Sequence, residues 1–167
     1  MKAYLPEVGY GLALALAHLV WLIVEYTLGL HSTRIAQYSI LTNLYVVIAA
    51  LILWRAIKNR RDVLEGGQLL WWQGMTSGMI VSVVSAALRG PTWWFFLKFI
   101  NPGFTQAMVE FAVQSGTKRE FAEVTYHPTV MAMESTLSPV LLGFFLSLGL
   151  TWFARSQVEK PQSPAEA

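Results

Sequence analysis

Cysteine is absent from all 167 residues, which excludes disulfides, thiolate metal sites and cysteine nucleophiles and leaves the redox compartment open. Charge is also scarce. Only 13% of residues are Asp, Glu, Lys or Arg, and a net charge of +2 is too slight to suggest nucleic acid as a partner. No Ser-His-Asp order, glycine-rich phosphate loop or H-E-x-x-H motif occurs. The chain is therefore read as a non-enzyme, with no catalytic residue, metal or cofactor.

What is present in quantity is apolar side chain. Hydrophobic residues make up 54% of the chain, more than a soluble domain of this length can hide in one core. A helix needs roughly 20 apolar residues to cross a hydrocarbon layer, and the runs 8–30, 36–54, 68–88 and 130–153 qualify. The expected fold is all-α: an integral membrane bundle of four transmembrane helices over 1–155, with the lipid bilayer as its surroundings. The first run resembles a signal sequence only superficially. It is too long, Glu7 interrupts the charged start and no A-x-A site follows, so it is read as a retained span.

Residues 89–129 form the expected extramembrane loop. It opens on the breaker Gly90-Pro91. Beyond it, 92–100 is too short to span and suits either an interfacial helix or a continuation of span three after a kink. Short helices are expected at 104–114 and 118–126, separated by Ser115-Gly116-Thr117 and stopped by Pro128. The tail 156–167, with two prolines and alternating charges, reads as disordered.

Basic residues orient the chain. Lys2, Arg55, Lys58, Arg60, Arg61, Arg155 and Lys160 fall on one side, against Arg34, Arg89, Lys98, Lys118 and Arg119 on the other. The dense second loop favours both termini in the cytoplasm. Trp54, Trp71, Trp72 and Trp152 then mark the cytoplasmic belt and Trp93 and Trp94 the outer one, while mid-span Trp21 is read as packing.

Small residues recur every fourth position in two spans. Gly74, Gly78, Ser82, Ala86 and Gly90 form one strip on span three, and Ser135, Pro139, Gly143, Ser147 and Thr151 a second on span four. In lipid such small-xxx-small strips let backbones approach closely. The antiparallel strips are expected to mate within one chain, the alternative being a homodimer or larger membrane complex. The hydroxyls of Ser135 and Ser138 are expected to offset the hydrogen bond lost at Pro139.

Ionisable groups inside spans are costly enough to be functional candidates. His18 and Glu25 share a face of span one with Gly11, Ala15 and Gly29. Asn43, Arg89 and Glu134 enter the other spans at a depth similar to Glu25, so one outer polar layer is expected. It is either a site for a cation, proton or small polar ligand, or a knot in which Arg89 neutralises one carboxylate and fixes helix register. His18 is expected to make a neutral hydrogen bond across helices. Glu120, Glu123 and His127 share a helical face but supply only three ligands, so a solvated surface is expected there rather than a metal site.

The order of elements resembles the DUF4199 family of small four-span bacterial membrane proteins of uncharacterised function. The resemblance is carried by Gly66-Gly67-Gln68 opening span three, Phe99-Ile100-Asn101-Pro102-Gly103-Phe104, Gly116-Thr117-Lys118-Arg119-Glu120-Phe121, and the closing 143–150 stretch. It implies a four-helix membrane domain and no known activity or functional residues; the location expected is a bacterial inner membrane with both termini cytoplasmic. The residues lead first to a non-enzymatic scaffold or accessory subunit of a membrane assembly. The alternatives are a small transporter or channel using the polar layer, and a lipid-directed membrane enzyme with Glu123 and His127 as acid and base.

Overall fold

Spacings of three and four along the first span give helix α1, Leu5–Thr27, one buried face: Glu7, Gly11, Leu14, His18, Leu22 and Glu25. Leu12, Leu16 and Val20 on the other face are exposed, as side chains meeting lipid should be. These come from a computed structural model that describes residues 4–155. Lys2, Lys160 and the tail 156–167 lie outside the described residues.

The second span is continuous over Ile35–Val63. It comprises α2 (Ile35–Leu41), a tightened 3-10 turn at Thr42–Leu44, α3 (Tyr45–Asn59) and a wider π turn at Arg60–Leu64. Arg55, Lys58, Arg60 and Arg61 therefore ride on helical turns instead of forming a loop. Gly66 and Gly67, both at positive φ, reverse the chain.

Helix α4 runs from Trp71 to Phe95 and a π turn carries it to Ile100. Gly90-Pro91 does not break it, so 92–100 continues span three and the irregular loop shrinks accordingly. Beside Pro91, Thr92 Oγ1 donates to the Leu88 carbonyl oxygen at 2.7 Å, while the carbonyl that loses its backbone donor to the proline is that of Ala87. Helices α5 (Gly103–Gln114) and α6 (Arg119–Thr125) follow, then α7 (Pro128–Ala154), whose first turn is capped by His127 Nδ1 accepting from Thr129 N–H. Among the described residues the protein is all-α, with four helices long and apolar enough to cross a membrane.

Helix α4 is the hub, packing most extensively on α7 and next on α1, while α3 makes slighter contacts with α1, α7 and α4. On the α4–α7 seam, Gly74 faces Thr151, Gly78 faces Ser147, Gly143 faces Ser82, and Gly90 faces Thr136. A Cβ at Gly74 would stand 2.6 Å from Thr151 Cγ2, so the Thr151 side chain fills the space a larger residue would need. Ser82 and Ala86 are buried. At Pro139 the expected compensation is not made: Ser135 Oγ is buried without a partner, and Thr136 Oγ1 donates to Ala132 O instead.

Both ends of the bundle are closed. Where α1 and α4 begin and α3 and α7 end, the proximal end, Arg60 Nη1 lies 3.3 Å from Glu7 Oε1, to which Ser77 Oγ also donates at 3.3 Å. Arg60 Nη2 meets Glu65 Oε1 at 2.8 Å, Gln73 Nε2 donates to Glu65 Oε2, and Arg61 Nη1 donates to the Ala154 carbonyl oxygen. At the distal end an aromatic cap joins Trp93, Phe96, Leu97, Phe104, Met108 and Met131 to Leu22. Phe104, fully buried, brings α5 down onto the bundle. Trp93 is part of this cap, 5% exposed, and so does not belong to the interfacial belt expected of it.

Candidate functional site

Gly29, at φ +75°, turns the chain immediately after α1 and folds Leu30 and His31 back into the protein. His31 Nε2 comes within 3.4 Å of Glu25 Oε2, and Trp21 Nε1, one helical turn before Glu25, donates to Oε1 at 2.6 Å. Trp21 is thus a hydrogen-bond donor to the carboxylate and not merely packing. The imidazole is walled by Phe104, Tyr38, Phe96 and Trp93, with ring centroids 4.3 to 6.1 Å away. A carboxyl group buried at 3% exposure is costly to leave without such hydrogen-bond partners.

Arg89 does not neutralise a carboxylate as the register-fixing knot would require. Among the described residues it forms no ion pair. Its guanidinium lies over the Tyr45 ring at 5.2 Å, and its Nε is buried without a partner. Tyr45 is itself fixed, donating its hydroxyl to the Leu14 carbonyl oxygen at 2.9 Å. The ring holds the cation in place by its quadrupole while leaving the N–H fork free.

Glu25, Asn43, Arg89, Glu134 and His18, the five residues of the expected polar layer, all line one cavity of about 610 Å³. Asn43 Nδ2 is spent on the Ser39 carbonyl oxygen at 2.6 Å, which shapes the 3-10 turn. Glu134 is exposed and makes no hydrogen bond or ion pair among the described residues. His18 is 9% exposed, with its ring edge-on to Tyr45, and its Nδ1 has no partner, so the cross-helix hydrogen bond expected of that nitrogen is not made. Ser135 Oγ is a second buried orphan on the same wall. Polar atoms this well enclosed are ordinarily paired.

The cavity has a roof, a floor and a sideways mouth. Tyr38, Trp93 and Met131 of the aromatic cap cover it distally. The Leu14, Tyr45, Ala49, Leu53 and Val81 cluster closes the bundle below. Its exposed lining residues, Asn43, Glu134, Leu137, Ser138 and Leu141, lie on the 3-10 turn and on α7. The opening therefore faces out between α2–α3 and α7, and not along the bundle axis. Helices α3 and α7 meet near the proximal end and leave this gap distally.

Several residues of consequence were not visible as candidates in the chain. His31 sits in a loop six residues after Glu25, and only the Gly29 turn signals that it returns. Glu7 and Arg60 are 53 positions apart, and no local pattern pairs them. The Glu120, Glu123 and His127 face borders a shallow surface pocket, while Glu123 leans toward Arg119 at 3.8 Å and His127 caps α7. No group of three or more His, Asp or Glu among the described residues is arranged to hold a metal ion.

No curated protein and no solved structure matches the chain. A family model does, over residues 9–156, under the description protein of unknown function, DUF4199. That match spans nearly the whole length, and the four long apolar helices and the order of elements are those the sequence resemblance implied. The chain belongs to the DUF4199 family.

Proposed function

We propose that this four-span membrane protein is a non-enzymatic ligand-binding protein of the transporter type, which takes a small polar or charged ligand into the cavity between α2–α3 and α7. One observation carries the reading: polar groups from all four spans face a single cavity in which Arg89 does not close on a carboxylate. A register-fixing knot would bring the cation and a carboxylate together, because an unpaired charge inside a bundle is costly. The sealed proximal end adds support, since a transporter exposes its site to one side at a time. The 3-10 turn at Thr42–Leu44, on the rim of the cavity, is the kind of mid-helix irregularity that serves as a hinge.

Scaffolding through the small-residue faces has weaker support, because glycines of α4 and α7 pack against the opposite helix. The dense basic cluster at the end of the second span favours cytoplasmic termini in a bacterial inner membrane, and thus a cavity in the outer half.

The absence of cysteine makes the test clean. Ser138→Cys, on the cavity rim, is expected to react with a water-soluble, membrane-impermeant methanethiosulfonate added outside intact cells. Phe145→Cys, on the exposed apolar face of α7, is expected to stay unreactive. Equal protection of both positions from either side would overturn the reading.

A further inference from the structure

The charges facing the cavity specify more than polarity. Glu25 is already engaged by Trp21 and His31. Two formal charges remain without an ion pair among the described residues: Arg89, whose guanidinium lies over the neutral Tyr45 ring, and Glu134 on the cavity rim. They stand at one level of the bundle. Gly90, next to Arg89, packs against α7 so closely that a Cβ there would sit 3.1 Å from the Ala132 carbonyl oxygen, two residues before Glu134. Opposite charges sharing a level and a cavity, yet not in contact, leave room for something between them.

We propose that the cavity binds a zwitterion, a molecule carrying an oxyanion and an ammonium group, with the oxyanion on Arg89 and the ammonium on Glu134. The proposal rests on the ligand-binding reading above. A lone anion would meet two carboxylates in this cavity and a lone cation would meet the guanidinium, whereas a zwitterion complements both. Arg presents a planar fork suited to phosphate or carboxylate oxygens. His18 Nδ1 and Ser135 Oγ, both buried and unpartnered on the lining, supply further hydrogen-bonding positions for the same polar head.

The mouth suggests how such a molecule arrives. Leu137 and Leu141, 60% and 63% exposed, flank the opening on α7 and would lie against hydrocarbon. An acyl chain could rest on them while the head enters sideways. The same head chemistry also occurs in free water-soluble zwitterions, and the volume admits either.

The test uses the full chain purified in detergent, with binding read by native mass spectrometry and by ligand-induced shifts in melting temperature. The probes are dioleoylphosphatidylethanolamine, dioleoylphosphatidylglycerol and free phosphoethanolamine. The ethanolamine head, as lipid or as free phosphoethanolamine, is expected to bind at least tenfold more tightly than the glycerol-headed lipid, about the worth of one charged hydrogen bond. Binding of the lipid alone assigns a membrane source, and binding of phosphoethanolamine alone assigns a soluble one. Glu134→Gln is expected to erase the preference while retaining affinity for phosphatidylglycerol. Arg89→Gln is expected to weaken all three about tenfold or more. Glu134 is exposed and unpaired, so its variant decides the matter even if Arg89 variants do not fold. Equal affinity for the two lipids with no tighter binding of free phosphoethanolamine, or a preference unchanged by Glu134→Gln, overturns the proposal. If Ser138→Cys reacts as expected and no zwitterion is preferred, only this inference falls. An unreactive Ser138→Cys together with no zwitterion preference removes both readings.

Discussion

The Arg89 guanidinium rests on the face of Tyr45, 5.2 Å from the ring centroid, while the Tyr45 hydroxyl is tied to the Leu14 carbonyl oxygen across the bundle. A cation is thereby held at the edge of a cavity by α3 and α1 without being neutralised. Tyr45→Phe keeps the ring and removes the hydroxyl, so a loss of about 1 kcal/mol is expected from the hydrogen bond. Tyr45→Leu removes the ring as well, adding roughly 0.5–2 kcal/mol. Thermal unfolding of the purified variants in detergent measures both, and equal losses would show that the ring contributes nothing.

Glu25 accepts from Trp21 and lies beside His31, so its replacement should follow donor–acceptor logic and not volume alone. Glu25→Gln retains an acceptor oxygen and is expected to fold. Glu25→Leu strands the indole N–H and imidazole in an apolar pocket, costing about 1–3 kcal/mol for each unpaired polar group. Melting temperatures of the two variants should differ in that order, and a more stable Leu variant would contradict it.

The α4–α7 seam makes a sharp contrast between glycines. An alanine methyl at Gly78 would collide with Ser147, and one at Gly143 with Ser82, whereas nothing lies within 4 Å of a Cβ at Gly149. Gly78→Ala and Gly143→Ala are each expected to destabilise by about 1–3 kcal/mol through overpacking. Gly149→Ala is expected to be neutral or to stabilise by up to about 1 kcal/mol, because alanine is the better helix former. Fluorescence-detected size-exclusion chromatography after graded heating would rank them.

At the proximal end, Arg60 and Glu7 form a buried ion pair with side chains 10% and 2% exposed. Arg60→Met leaves Glu7 charged among apolar helices and is expected to cost about 3–5 kcal/mol. The double variant Arg60→Met with Glu7→Leu removes the stranded charge as well, so it should recover much of that loss. Expression and melting temperature of the single and double variants test the coupling, and additive losses would refute it.

Glu110 and Arg119 join α5 to α6 on the surface, with Arg119 Nη2 3.1 Å from Glu110 Oε2. The hydrogen bond from Arg119 holds the Glu110 carboxyl below its ordinary range, and Glu110 in turn raises Arg119. A carboxyl lowered on folding stabilises above its unfolded pKa and loses that contribution as pH falls through the lowered folded value. Both groups are exposed, so the effect should be small and fade with salt. Protection factors of α6 amides, taken after correction for the intrinsic pH dependence of exchange, should fall in acid in the native protein and stay constant over that window in Glu110→Gln.

Four spans, their rough limits and the spans that carry polar groups can be read from the chain, because the length of an apolar run and the cost of a charge within it are local properties. His18, Glu25, Asn43, Arg89 and Glu134 stand out for that reason, and they share one cavity. Which group meets which is not local. It depends on the rotation and height of each helix against its neighbours, so Glu25 finds His31 and not Arg89, and Glu7 finds Arg60 53 residues away. Gly90-Pro91 reads as a break by propensity, yet the helix runs through it with Gly90 packed closely against α7. The sideways mouth likewise arises from where α3 and α7 part company, a separation set by packing among all four spans that no one segment encodes.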